Sequence, residues 1–451
     1  MKLNTLHITN FRCFRDFTIN LSSGTNVIIG KNGSGKSALI NALIKALSFV
    51  FTAPKDKDIT VLAAGNPTLK VKGYEQSDFW RNYAEKTIAP YANIEVKDGE
   101  FNNQHISWSM FSHSTSKYLA YSKYSDAYMQ FITAIDNGAT LPVLAYYSDS
   151  YPHLHVKVPQ WVIDSVHDLS LPKNFAYYQW DNDRACTTVW ETRLGSIMTR
   201  LFAMDNNIKS SRPEEKGALL ELIKPMEEEQ HFILSSLKSF SSEISYDDDF
   251  KLLSIHPRPS KNETYELIFT FANHNESPLK ELPSGYRRLF SMMLDLSYRA
   301  FLLNGPNHST YQQEGIVIID EIDLHLHPLL ENTVVTALTN HFPGIQFILS
   351  THSAAVLSNL KNAPGINRIM TISPNDSEAT TLPNISSLDV NTILDNFMHS
   401  PSRNNIVEHL VEQYNLFAKI GLKEEMQLLR RKIEDAIGTD SEILQRLKTI
   451  D

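Results

Sequence analysis

Gly30-Lys31-Asn32-Gly33-Ser34-Gly35-Lys36-Ser37 lies between an apolar run, Val27-Ile28-Ile29, and a segment of apolar periodicity from Ala38 to Phe51. The order reads strand, glycine-rich loop, helix, with the spacing Gly-x4-Gly-Lys-Ser. Successive backbone N–H groups can wrap a phosphate only where no Cβ obstructs it, which accounts for Gly30, Gly33 and Gly35. Lys36 is placed to reach the β- and γ-phosphates, and the Ser37 hydroxyl to ligate Mg²⁺. Asn32, Ser34 and Ala38 complete the stretch that would face the nucleotide. The spacing implies a nucleoside triphosphate site.

A second buried strand supports that reading. Gly315-Ile-Val-Ile-Ile-Asp-Glu321 places two carboxylates at the end of a β-branched run. Beside a phosphate loop, Asp320 would hold Mg²⁺ and Glu321 would orient or deprotonate the attacking water. Asp323-Leu-His-Leu-His-Pro328 follows directly as a loop opening a helix, and is read as that rather than as a histidine metal cluster. Gln346-Phe-Ile-Leu-Ser-Thr-His352 is a further buried strand ending in polar groups, and His352 is placed to touch a γ-phosphate. Leu282-Pro-Ser-Gly-Tyr286 precedes an apolar helix expected over 287–303, with Ser284-Gly285 as its N-cap turn. Near the start, Asn10-Phe-Arg-Cys-Phe14 reads as a hairpin turn with core phenylalanines. For Arg12 the residues leave a structural turn and a phosphate or base contact equally open.

Bulk properties bound the class. The chain has 451 residues, 42% of them hydrophobic and 21% charged, which excludes a disordered or fibrous protein. A formal net charge of −9 means that any DNA contact must come from a local basic patch. With only Cys13 and Cys186, neither a disulfide framework nor a paired-cysteine zinc site is expected. No signal-like apolar start and no run of about 18 apolar residues occurs, so no membrane association and a cytoplasmic location are expected.

Between the motifs the reading is coarser. Residues 52–140 lack a sustained period, and all five tryptophans fall between positions 80 and 190. Such an insert reads as a small separate aromatic core or, less simply, a nucleic-acid stacking surface. Leu141 to Tyr147 is a strand expected to return to the central sheet. Residues 182–240 turn helical. Near the C-terminus, Ile406, Leu410, Tyr414 and Phe417, then Leu422, Met426, Leu429, Ile433 and Ile437, follow helix spacing, and a short final helix carries Ile443, Leu447 and Ile450.

In this order the motifs resemble an ABC-type ATPase head of the SMC/RecF/OLD-like group. Asn10 to Phe14 resembles its opening segment, Gly30 to Ser37 its Walker A and Leu282 to Tyr286 its signature loop. Ile316 to Glu321 with Asp323 resembles its Walker B and D-loop, and His352 its switch histidine. The Q-loop glutamine has only Gln104 and Gln130 as candidates. The resemblance implies an α/β fold, a P-loop ATPase head with a mixed central sheet and flanking helices. The head would be split over 1–60 and 251–390, around an inserted lobe, 61–250, and followed by C-terminal helices, 391–451, for docking or capping. It implies ATP and Mg²⁺ as cofactors and a homodimer sandwiching ATP, with Ser284 and Gly285 acting in trans and Asp323 near the nucleotide. Only 99 residues follow His352, without a strand-borne Glu and later Asp-x-Asp, so no fused Toprim nuclease is expected. A lone head with a helical tail is most similar to the PtuA family of Septu-type anti-phage systems, whose partner is a separate HNH nuclease, PtuB-like. The alternatives are a RecF/SMC-like DNA repair or maintenance ATPase, or a nucleotide-gated scaffold.

Overall fold

The computed structural model describes residues 1–53, 62, 66, 68–152, 157–181, 187–210, 213–244, 250–261, 263–360, 366–383, 385, 388, 390–398, 405–420, 422–438, 441, 444 and 447. The chain divides into two compact units, Met1–Ser387 and Leu388–Asp451.

In the first unit, β1 (Lys2–Phe11) and β2 (Phe14–Asn20) form a hairpin, and β3 (Thr25–Ile29) runs through the glycine loop into α1 (Lys36–Leu47). A small hairpin, β4 (Arg81–Asn82) and β5 (Thr87–Ile88), precedes β6 (Tyr91–Phe101), β7 (Gln104–His113) and α2 (Ser125–Asp136). Then come β8 (Val143–Tyr147), α3 (Gln160–Val166), α4 (Thr187–Ser210) and α5 (Pro213–Ile244). A meander of β9 (Leu252–Pro259), β10 (Tyr265–Phe271) and β11 (Glu276–Pro278) leads to α6 (Ser284–Asn304). The unit closes with β12 (Gly315–Ile319), α7 (Pro328–Glu331), α8 (Val334–His341), β13 (Ile345–Ser350), α9 (Ala354–Asn359), β14 (Arg368–Thr371) and β15 (Thr380–Thr381).

The strand order of the central sheet is β15-β14-β3-β13-β12-β8. The last five are mutually parallel, and β15 alone is antiparallel. Parallel strands covered on both faces read as continuous apolar runs, and β3, β12 and β13 are buried at every position. The fold is therefore the mixed α/β sheet that the motifs imply. A second sheet, β2-β1-β6-β7, is antiparallel and alternates buried with more exposed positions.

The separate aromatic core expected in the insert is not what forms. Trp108 donates its indole N–H to the Ala46 carbonyl of α1 (2.9 Å) and packs on Phe49. Trp180 lies 5.4 Å from Phe51, and Trp190 stacks on Tyr298 of α6 at 4.8 Å. Large rings bury the most apolar area per ordered side chain, and here they pack against α1, the turn that follows it and α6. β8, from the same stretch, pairs along β12 with Tyr147 opposite Ile319.

The second unit contains α10 (Val390–Asn396), α11 (Asn405–Ile420) and α12 (Lys423–Ile437). Val407, Tyr414, Leu429, Ile433, Leu444 and Leu447 form its core, with Leu410, Phe417, Met426 and Ile437 packed around them. Of the expected final helix, only Leu444 and Leu447 fall within the described residues.

Candidate functional site

Three adjacent parallel strands, β3, β13 and β12, end on the same side of the sheet. That edge gathers the Gly30–Ser37 loop, the Ser350-Thr351-His352 turn and Asp320-Glu321. Crevices beyond the carboxyl ends of such strands are where open α/β sheets take ligands.

Within the glycine loop each glycine answers a separate constraint. Gly33 and Gly35 have φ +83° and +101°, the left-handed region that other residues occupy at a cost. A Cβ on Gly35 would stand 2.7 Å from the Phe14 ring and 3.0 Å from the Cys13 thiol, and one on Gly30 would stand 2.5 Å from Ser34 Oγ. Ser34 Oγ is buried and makes no hydrogen bond. Lys36 Nζ donates to the carbonyls of Gly30 (2.7 Å) and Lys31 (3.4 Å). Burial holds the Lys36 ammonium below its ordinary range, against the pull of Asp320, Glu321 and Asp323. Asn32 and Ser37 are exposed, while Ala38 is buried at the head of α1.

The carboxylates are held by the neighbouring strand. Ser350 Oγ donates to Asp320 at 2.5 Å and accepts the Glu321 N–H at 2.8 Å. Glu321 itself has φ +49°, a bend at the strand end. Asp323 accepts from Thr351 Oγ1 (2.5 Å) and from the His352 N–H (3.2 Å), which ties the loop after β12 to the turn bearing the exposed His352.

Arg12 lies in a left-handed turn, φ +49°, fixed by its N–H on the Asp78 carbonyl at 2.7 Å. Its guanidinium bonds Asp78 at 2.8 Å, and Asp78 in turn meets Lys45 of α1 at 3.0 Å. Burial pushes the Asp78 carboxyl up, but the Glu75 N–H, Lys45 and Arg12 outweigh it and hold it below the usual range. The turn thus rests on Gly35 through Phe14 and Cys13, and on α1 through Asp78.

Two expectations need correction. Ser284 and Gly285 do not precede the helix: α6 begins at Ser284 with Pro283 as its N-cap, because Pro283 supplies the extended entry and Ser284 follows in helical geometry. A Cβ on Gly285 would meet the His325 carbonyl at 2.9 Å, while Ser284 stays exposed. Gln104 and Gln130 do not approach the site. The register Lys2–Glu100 puts Gln104 at the far end of the β1-β6-β7 sheet from the Phe11–Phe14 turn, and Gln130 shares a surface depression with it.

Sequence reasoning missed Ser350, Thr351, Asp78, Lys45 and Arg288. The first two stand directly before His352 and were legible as strand-end hydroxyls. Arg288 is wholly buried and donates to the carbonyls of Asp320 (2.8 Å), Asp149 (3.0 Å) and Ser148 (3.3 Å). Burial lowers its pKa, opposed by Asp323, Asp149, Glu321 and Asp320.

The AAA ATPase domain family matches residues 1–357. The Retron Vc95 probable ATPase of Vibrio cholerae serotype O1 biovar El Tor is 25% identical over 405 residues, covering 80% of this chain and 72% of that protein. The Retron Ec83 probable ATPase of Escherichia coli is 22% identical over 492 residues, 99% of this chain and 86% of that protein. The Septu protein PtuA of Bacillus mycoides (strain KBAB4) is 39% identical, over 95 residues that make up 21% of this chain and 13% of that protein. The resemblance to PtuA therefore has a local, stronger match, while retron ATPases align along most of the length. With its phosphate loop and its paired carboxylates at strand ends on either side of β13, the chain belongs to the AAA ATPase domain family.

Proposed function

We propose that the chain is an ATP-hydrolysing switch that pairs with a second copy around ATP and governs a separate HNH nuclease subunit in anti-phage defence. The observation that carries the ATPase part is the convergence of Lys36, Asp320, Glu321 and His352 at three adjacent strand ends. Lys36 would exchange its loop carbonyls for the β- and γ-phosphates, and the unpartnered Ser34 hydroxyl lies in the same cradle. Ser37 and Asp320 offer the hard oxygen ligands that suit Mg²⁺, which when bound neutralises the phosphates. Glu321, bent outward at the strand end, orients the attacking water, and His352 contacts the γ-phosphate. Asp323 keeps the His352 turn in place.

Pairing is supported by where α6 lies. Arg288, one turn beyond Ser284, bonds the ends of β12 and β8, and β8 is three strands from β3. At ~4.8 Å per strand those two ends stand about 10 and 14 Å along the sheet from the end of β3, so α6 is anchored on the carboxylate side of the site rather than on the phosphate loop. The exposed N-terminus of a 21-residue helix is instead suited to a γ-phosphate held by a second copy. Relatives named for retrons and for Septu favour the defence reading over general DNA maintenance.

Purified chain, Glu321→Gln and Lys36→Ala test this. Glu321→Gln should hold Mg-ATP without turnover, and Lys36→Ala should lose ATP binding. Mixed with its nuclease partner, the wild type should change DNA cleavage when ATP is added, and Lys36→Ala should not. Unchanged turnover in Glu321→Gln, or cleavage indifferent to ATP, would refute the respective part.

A further inference from the structure

One end of the antiparallel sheet carries cations and aromatic rings that the ATPase reading does not use. Tyr83 and Tyr118 are 84% and 82% exposed, the highest values among the exposed large hydrophobic and aromatic side chains of the described residues. Tyr83 caps the β4–β5 hairpin and Tyr118 the loop after β7.

Both supports are stiff, although the rings are bare. Asn82 Oδ1 accepts the N–H groups of Ala84 (3.1 Å) and Glu85 (3.3 Å), closing the hairpin turn. The Tyr118 carbonyl accepts Ser112 Oγ at 3.0 Å and Ser116 Oγ at 2.9 Å. The two supports are joined through one residue: Arg81 donates to the Gln76 carbonyl (3.2 Å), and Gln76 donates to the Ser114 carbonyl (2.7 Å). Arg15 lies over the Trp80 ring at 5.5 Å, and the Trp80 N–H bonds the Asn10 carbonyl at 2.9 Å. A fully exposed ring held on an ordered backbone loses little entropy when it binds.

The charge here opposes that of the whole chain. Segments 10–16, 70–89 and 110–124 contain eight Lys and Arg against four Asp and Glu, whereas the chain as a whole carries −9. Arg15, Arg81, Lys86 and Lys117 are all exposed. Cations flanking exposed rings match phosphates flanking unstacked bases. A duplex hides its base faces, so it would leave Tyr83 and Tyr118 without a role.

We propose that this end of the sheet binds a single strand of nucleic acid, with Tyr83 and Tyr118 stacking on bases and Arg15, Arg81, Lys86 and Lys117 meeting phosphates. The proposal goes beyond the ATPase reading and does not depend on it.

Fluorescence anisotropy of the full-length protein with labelled 20-residue oligodeoxythymidine, oligouridine and a DNA duplex, over a series of salt concentrations, tests it. At least one single strand should bind more tightly than the duplex, and the tighter of the two identifies DNA or RNA as the source. Tyr83→Ala with Tyr118→Ala should weaken that binding about tenfold or more, leaving ATP turnover unchanged. Arg81→Glu with Lys86→Glu should also weaken it and flatten its salt dependence. Duplex binding as tight as single-strand binding would overturn the proposal, as would single-strand affinity untouched by either pair of substitutions. An increased KM for ATP in Tyr83→Ala, with strand binding intact, would overturn it too and assign that ring to the base of the nucleotide.

Discussion

Arg288 donates to the main-chain carbonyl of Asp320 at 2.8 Å from the second turn of the helix that begins at Ser284. The same guanidinium holds Asp149 and Ser148, so the ends of β12 and β8 are pinned to α6 by one buried cation. Its Nε has no hydrogen-bond partner, and it has no ion-pair partner among the described residues; its charge is balanced by the field of the nearby carboxylates. Arg288→Met should therefore let the Asp320-Glu321 bend relax. A misplacement of about 1 Å is enough to lower kcat for ATP on the order of a hundredfold, with KM changing much less. Arg288→Lys keeps the charge but not the fork, and should recover only part of the loss. Parallel losses in kcat and in thermal stability without nucleotide would reduce Arg288 to a packing residue.

Ser284→Arg tests pairing separately from binding. The substitution places a cation at the exposed start of α6, where the proposed dimer receives the partner's γ-phosphate. ATP affinity of the isolated chain should stay within about twofold, while ATP-dependent dimers should disappear from light scattering. Dimers that persist at the same ATP concentration would place the pairing surface elsewhere.

The site was legible where a residue type has one physical reason to be in a place. Gly33 and Gly35 are needed for positive φ, and Asp320-Glu321 ends a fully buried strand, so both stood out in the sequence. The parallel sheet was legible for the same reason, since strands covered on both faces must be continuously apolar. What the sequence left obscure were contacts made by long-range register. Asp78 binds Arg12 across 66 positions, and Ser350 binds Asp320 across 30. The aromatic stretch misled because large rings signal burial without naming the partner, and Trp108, Trp180 and Trp190 had their partners on α1, on the turn that follows it and on α6.

His341 gives the first unit a pH dependence with a definite sign. It is 2% exposed, its Nε2 pairs with Ser236 Oγ at 2.8 Å, and burial pushes its pKa down to about 4. Unfolding restores an ordinary value near 6.5, so the unfolded chain takes up a proton in the window from about 6.5 to about 4. Stability contributed by neutral His341 is present above that window and is lost as pH falls through it. The advantage of wild type over His341→Gln should shrink by about 2 kcal/mol between pH 7.5 and 5.0. Urea unfolding followed by tryptophan fluorescence reads this, because all five tryptophans lie in the first unit. An advantage constant with pH would mean that the imidazole titrates in the folded protein as it does in the unfolded chain.

The C-terminal unit separates two roles for its helices. Residues 391–451 were expected either to cap the head or to present a face to a partner. Its hairpin encloses a core of its own, from Val407 and Tyr414 on α11 to Leu429 and Ile433 on α12, as helices this short require. Outside that core Leu416 and Leu428 remain 56% and 57% exposed, on α11 and α12 respectively. A hairpin that buries its own stripes favours the docking reading, in which those two leucines would meet the proposed partner by the helix-in-groove mode. Ending the chain after Ser387 should then leave the melting transition of the first unit within a few degrees and ATP affinity unchanged, while co-purification with the proposed nuclease subunit is lost. Leu416→Glu with Leu428→Glu in the full chain should do the same without removing any element. Aggregation of the shortened chain would assign the unit a capping role, and full partner binding by the leucine double variant would move the docking site off this hairpin.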